Sequence, residues 1–154
     1  VDAVRAAGIE VHVTPGISAA LAAGAQAQIP LTHRDAAQAV TFVTGRPKLG
    51  GPDLDYTALA ASTHTLVVYM GVAVAATLSR RLVEAGRSPA TPVGIIENAS
   101  LSTERRVFTT LGALAHTIST EQLNGPAVLV IGDVVAYAPE HLSSLSQKAL
   151  EHAA

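Results

Sequence analysis

The sequence predicts an α/β domain whose sheet is covered by helices on both faces. Short β-branched or wholly apolar runs, such as Val40–Thr44 and residues 66–70, recur along the chain, and segments of helical periodicity alternate with them. Strands that are apolar at every position belong to sheets buried on both sides. Glycines stand at the ends of both kinds of element, where tight turns need them.

Taken in order, residues 1–8 read as a helix end closed by Gly8, and residues 9–14 as a short strand. Pro15-Gly16 breaks the chain, and residues 18–27 form an Ala-rich helix. Residues 29–35, with Pro30, make an ordered connection. Val40–Thr44 is a strand by its β-branched content, and the Pro/Gly-rich residues 46–55 are a loop. Tyr56–Ala61 is a short helix, residues 65–70 a strand, and Gly71 a sharp turn. Residues 74–84 are a helix with Val74, Leu78 and Leu82 on one face, closed by Gly86. Residues 93–97 and 106–110 are strands and 111–119 a helix. Ala127–Ile131 is the last strand, stopped by Gly132. The Ser-rich residues 139–154 read as a peripheral helix or a partly disordered tail.

With 49% hydrophobic residues in 154, the chain has ample material for a core, which excludes a disordered protein. A net charge of -2 gives no support to a bulk electrostatic grip on nucleic acid or on a membrane surface. There is no Cys, so disulfides, iron–sulfur clusters, zinc knuckles and thiol nucleophiles are excluded. Mean hydropathy is +0.35, yet no apolar run reaches the roughly 18 residues of a membrane span. Residues 1–5 lack the basic start and apolar core of a signal peptide, so a cytoplasmic location is expected. The start at Val1, inside a helix-like pattern, reads as a fragment of a longer protein.

Two strand–glycine–helix junctions, Tyr69-Met70-Gly71 and Ile131-Gly132-Asp133, occupy positions where open α/β sheets bind ligands; glycine there also serves simply to turn the chain. Neither G-x-G-x-x-G nor G-x-x-x-x-G-K-[ST] occurs, which leaves dinucleotide dehydrogenases and P-loop nucleotidases without support. The six histidines are too dispersed for a metal site, and none is expected. Thr32-His33-Arg34-Asp35 reads either as a hydrogen-bonded loop in which Asp35 caps a following helix, or as an anion site built on Arg34. Eight of the ten basic residues are Arg, which suits planar recognition of carboxylates on an acidic organic ligand. Arg80, Arg81 and Arg87 read as solvated faces. No Ser-His-Asp spacing or paired-carboxylate motif stands out, so the catalytic residue is unassigned.

Six blocks, in order and spacing, resemble the uroporphyrinogen-III C-methyltransferases of the tetrapyrrole methylase family. They are Thr14-Pro15-Gly16-Ile17-Ser18-Ala19-Ala20, Ile29-Pro30-Leu31-Thr32-His33-Arg34-Asp35, Thr41-Phe42-Val43-Thr44-Gly45, Leu66-Val67-Val68-Tyr69-Met70-Gly71, Glu97-Asn98 and Ile131-Gly132-Asp133-Val134-Val135. The P-L-T-H-R-D and Y-M-G blocks are the most specific, and the likeness spans about residues 1–136.

The resemblance implies the second α/β/α domain of a two-domain methylase, with a mixed sheet. Residues 1–30 would be the end of the first domain and the linker, 31–136 the second domain, and 137–154 the tail. It implies an S-adenosyl-L-methionine-dependent transfer of methyl groups to uroporphyrinogen III, giving precorrin-2 for sirohaem and cobalamin biosynthesis, in a homodimer, without metal, nucleic acid or membrane. Carried over position by position, cofactor contacts fall on Ser18, Ala19 and Met70, with Pro15, Gly16, Tyr69 and Gly71 shaping the same walls. A further contact falls on Thr109, which stands where the family's Q-R-x-V-x-G-T-L stretch has glycine. Substrate carboxylates would fall to Arg34 and His33. The family's G-x-G-P-G-D, D-R-L and G-G-D segments have no counterpart here, so the isolated chain is expected to lack most of the cofactor site. Two alternatives follow: an inactive fragment that serves as a folded dimerisation module, and a sibling methylase acting on a later corrin precursor.

Overall fold

Two strands are apolar at nearly every position, and these lie at the centre of the sheet. They are β2 (Thr65–Tyr69) and β5 (Ala127–Ile131), each with four of five residues buried. In the computed structural model, which describes residues 1–46, 50–139 and 141, five strands run in the order β1-β2-β5-β3-β4. The others are β1 (Val40–Thr44), β3 (Pro92–Glu97) and β4 (Arg105–Thr110). β1 pairs parallel to β2, and every other pairing is antiparallel, so the sheet is mixed as the resemblance implied. The edge strands β1 and β4 carry the half-exposed patterns that an edge permits.

Period-two alternation divides the core. Val67, Val130 and Ile96 face one side, where α2 (Ala19–Gln26) and the final 3-10 turn (Asp133–Tyr137) supply Ala20, Ala23, Val134 and Val135. Leu66, Val68, Leu129 and Ile95 face the other, against Leu78 and Leu82 of α4 (Ala75–Glu84) and Leu114 of α5 (Leu114–Thr120). The short α3 (Tyr56–Ala61), capped by the Asp55 carboxylate accepting from the Ala58 N–H at 2.9 Å, lies on this second face. Its Leu59, half-buried, packs against the same cluster. α2 is rich in alanine, and the connection that follows it packs closely: a Cβ on Gly24 would sit 3.2 Å from the Ile29 carbonyl oxygen and from Leu31. Before these, α1 (Asp2–Ala6) ends at Gly8, as the sequence indicates.

The structure departs from expectation at five places. Residues 9–14 belong to no strand, because no neighbouring strand among the described residues offers them a ladder; Ile9 and Val13 are exposed. Asp35 caps no helix, since the chain turns there and proceeds into β1; its N–H instead donates to His33 Nδ1 at 3.2 Å. The helices expected from residues 74 and 111 each begin with a 3-10 turn, Val72–Val74 and Leu111–Ala113. At the end of β2 the left-handed residue is Met70, with φ +54°, and not Gly71. Gly71 is there for space: a Cβ would lie 2.5 Å from Leu129 Cδ1. Arg87, read as solvated, is buried, with its guanidinium donating to the carbonyls of Leu59, Ser62 and His64. Of the tail expected over 139–154, residues 140 and 142–154 lie outside the described residues, as do 47–49 of the 46–55 loop.

Candidate ligand site

Strand direction decides which residues meet. The register pairs Thr44 with Tyr69, Tyr69 with Val128, and Glu97 with both Ala127 and Arg105. The carboxyl ends of β1, β2 and β3 therefore share one end of the sheet with the starts of β4 and β5. A cavity of about 630 Å³ opens there, within the range of small-molecule sites. Ala19, Tyr69, Met70, Asn98, Ala99 and Pro126 contribute to its wall.

Two blocks about fifty residues apart in sequence are joined here. Ser18, at the start of α2, makes no capping bond with its side chain; its Oγ lies 2.8 Å from the Tyr69 hydroxyl. The P-G-I-S-A and Y-M-G blocks thus form one wall, with Ala19 beside Tyr69 and with Met70 projecting, 58% exposed. The left-handed backbone at Met70 is uncommon for a residue with a long side chain and costs about 1 kcal/mol or more. Such backbone is retained where surrounding packing determines it, here by Gly71 seated on Leu129.

The facing wall is the turn after β3. Asn98 has φ +52°, and its N–H donates to the Pro126 carbonyl at 2.9 Å. Glu97, 4% exposed, accepts from the Gly125 N–H at 2.6 Å and lies 3.5 Å from Arg105 Nη1, which ties β3 to the chain entering β5. Arg105 also holds Glu121 at 3.0 Å. Farther along the turn, the Ser100 N–H and then Arg106 hold the Glu104 carboxyl below the usual carboxylate range. That closes the turn bearing Leu101 over the cavity.

Other expected site residues fall elsewhere. Pro15 and Gly16 lie in the exposed segment ahead of α2, and a Cβ on Gly16 would meet nothing within 4 Å. Thr109 pairs with Val93 near the opposite end of β3 and shares a 2.8 Å hydroxyl contact with Thr117 of α5, so it does not reach this cavity. Arg34 and His33 also lie at the opposite end, ahead of β1, about 13 Å away along a five-residue strand. There Arg34 borders a second, smaller depression with Thr63 and His64, while His33 packs on the Tyr137 ring at 4.1 Å. Asn98, Ala99, Pro126 and Arg46 were not foreseen as wall residues. The available signals were the Glu97-Asn98 pair, Asn being a residue that accepts left-handed backbone, and Gly125-Pro126 just ahead of an apolar strand.

The profile of the Tetrapyrrole (Corrin/Porphyrin) Methylases matches residues 1–115. The chain belongs to this family. A siroheme synthase of Xylella fastidiosa is 47% identical to this chain over 138 residues, covering 90% of the chain and 29% of that protein. A siroheme synthase of Neisseria meningitidis serogroup C is 46% identical over 127 residues, covering 82% of the chain and 26% of the relative. The chain therefore spans less than a third of the length of these curated relatives. Among solved structures, the uroporphyrin-III C-methyl transferase of Thermus thermophilus complexed with S-adenyl homocysteine superposes with TM-score 0.73 at 35% identity, covering 86% of the chain and 54% of the other. A cobalt precorrin-4 methyltransferase gives TM-score 0.79 at 24% identity over 87% of the chain and 56% of the other, which speaks for the fold alone.

Proposed function

We propose that the methylase chain supplies one wall of an S-adenosylmethionine site in an enzyme that C-methylates uroporphyrinogen III to precorrin-2. The observation that carries this is the cavity lined by Ala19, Tyr69 and Met70, with Ser18 held to the Tyr69 hydroxyl, since the resemblance assigns cofactor contacts to Ser18, Ala19 and Met70 and makes Tyr69 part of the same wall. The 35% identical Thermus structure holding S-adenyl homocysteine supports it. The cofactor supplies an electrophilic methyl group on a sulfonium. The residues of this chain bind and orient it. A largely apolar wall excludes water, the Ser18–Tyr69 pair fixes the ring that borders the ligand, and Met70 offers a polarisable contact. Holding two reactants in line in this way supplies roughly 7–11 kcal/mol of the barrier. The partners in this reading are the tetrapyrrole and a second copy of the chain, in the cytoplasm; among the described residues no helix is long and apolar enough to cross a membrane.

Calorimetric titration with the demethylated product, S-adenosylhomocysteine, tests this. The whole protein should bind with micromolar or tighter affinity, about -8 kcal/mol, and the isolated chain weakly or not at all. In the whole protein, Met70→Ala should weaken binding about fivefold, the loss of roughly 1 kcal/mol of partly buried apolar contact; unchanged affinity would remove Met70 from the site. Comparing turnover of uroporphyrinogen III with that of precorrin-2 separates this enzyme from a sibling methylase.

Arg34 retains the substrate role that the resemblance gives it. No acid pairs with it among the described residues, and its place at the far end of the sheet separates it from Met70. Arg34→Ala is expected to lower kcat/KM for uroporphyrinogen III about ten- to a hundredfold with cofactor affinity and thermal midpoint unaltered. A lowered midpoint with normal kcat/KM would assign it to structure instead.

A further inference from the structure

Arginine use in this chain divides into two groups. Six of the eight arginines are committed to acids or to backbone carbonyls within the described residues. Arg34 and Arg46 are not. Among the described residues Arg46 is also the one charged residue lining the 630 Å³ cavity, otherwise bordered by apolar side chains, small residues, Tyr69 and two asparagines. A cation lining a mostly apolar cavity, with no acid paired to it among the described residues, is matched to an anion brought by the ligand.

Its position is set by the fold. The preceding residue, Gly45, donates its N–H to the Tyr69 carbonyl at 2.7 Å, and a Cβ on it would lie 3.1 Å from both the Met70 carbonyl oxygen and Gly71 Cα. The end of β1 is thereby pressed against the Tyr69–Met70 turn, and Arg46 leaves from that contact.

We propose that Arg46 is a carboxylate anchor for the ligand held in this cavity, an assignment that rests on the methylation reading above. Both molecules of that reaction carry carboxylates: the amino-acid end of the cofactor and the acidic side chains of the tetrapyrrole. The guanidinium fork binds either one by paired N–H donors, more strongly beside apolar walls than in water.

The test uses the whole protein, unsubstituted and as Arg46→Ala and Arg46→Lys, with S-adenosylhomocysteine affinity and the kcat and KM for uroporphyrinogen III measured on each. If the cofactor carboxylate is the partner, Arg46→Ala loses about ten- to a hundredfold in S-adenosylhomocysteine affinity. If the tetrapyrrole is the partner, that affinity holds and kcat/KM falls by a similar factor through KM. In either case Arg46→Lys recovers only part, and the thermal midpoint stays in place, because the Arg46 side chain has no partner among the described residues to lose. Unchanged binding and kinetics in Arg46→Ala, beside an unsubstituted protein that binds and turns over, overturns the anchor and leaves the methylation reading standing. An unsubstituted protein that neither binds S-adenosylhomocysteine nor methylates uroporphyrinogen III overturns both.

Discussion

Glu97→Ala is expected to destabilise the chain by about 2–3 kcal/mol and to weaken ligand binding at the cavity in the whole protein. The carboxylate is 4% exposed and accepts from the Gly125 N–H at 2.6 Å, while its other oxygen faces Arg105 at 3.5 Å. Alanine leaves the half-buried Gly125 N–H without its acceptor and a void between the β3 turn and the entry to β5. Arg105 is 42% exposed and keeps Glu121, so it turns to water and contributes little to the loss. Collapse is restricted because Gly125 already sits so close that a Cβ there would be 2.8 Å from Asn98 Oδ1. The thermal midpoint of the chain should fall by roughly 5–10 °C. Glu97→Gln keeps an acceptor for Gly125 but turns an amide donor toward the guanidinium, so about half of the loss should return. The distinguishing measurement is S-adenosylhomocysteine affinity well below the melting range. A stability loss with unchanged affinity would show that Glu97 supports the fold without shaping the wall that holds Asn98 and Pro126.

Much of the sheet was legible because its signals are local. Val40–Thr44 and Ala127–Ile131 are apolar or β-branched runs ended by glycine, and both form strands with those bounds. The helix of residues 19–26 follows from its alanines and from the Pro15-Gly16 break before it. What escaped depends on contacts distant in sequence. Residues 9–14 have strand composition, but pairing requires a neighbour that composition does not reveal. The turn at Met70 was assigned to Gly71 because glycine is the usual left-handed residue; the need for glycine arose instead from Leu129, nearly sixty residues later. Thr109, to which the motif alignment gives a cofactor contact, does not line this cavity, because β4 runs antiparallel to β3 and the pairing carries that end of the strand to the other end of the sheet. Ser18, Ala19 and Met70, to which the resemblance gives cofactor contacts, sit at element ends that the fold gathers at one edge of the sheet. Arg46 carried no signal beyond its charge.

Arg87 shows how far a surface-like pattern can mislead, and its replacement is the second large expected effect. It follows Gly86 at the end of α4, a position where a basic residue ordinarily points to solvent near the helix carboxyl end. Here it is 8% exposed and its fork satisfies three carbonyls: Leu59 at 3.1 Å, Ser62 at 3.4 Å and His64 at 3.2 Å. Burial pulls its pKa below the usual arginine value, partly offset by Asp133, yet a guanidinium stays charged across the physiological range. Arg87→Ala leaves those carbonyls without that donor and frees the connection from α3 to β2. The expected loss is about 2–4 kcal/mol, read as a shift in the denaturant midpoint with the slope unchanged. Arg87→Lys should rescue little, because one ammonium on a flexible stem cannot span carbonyls that the planar fork reaches together. The connection it holds includes Thr63 and His64, which border Arg34, so the substitution should also raise KM for the tetrapyrrole more than it alters cofactor affinity. If Arg87→Ala leaves the midpoint unmoved, the three carbonyl contacts contribute nothing net; if it lowers the midpoint with KM unchanged, the depression around Arg34 takes no part in substrate binding.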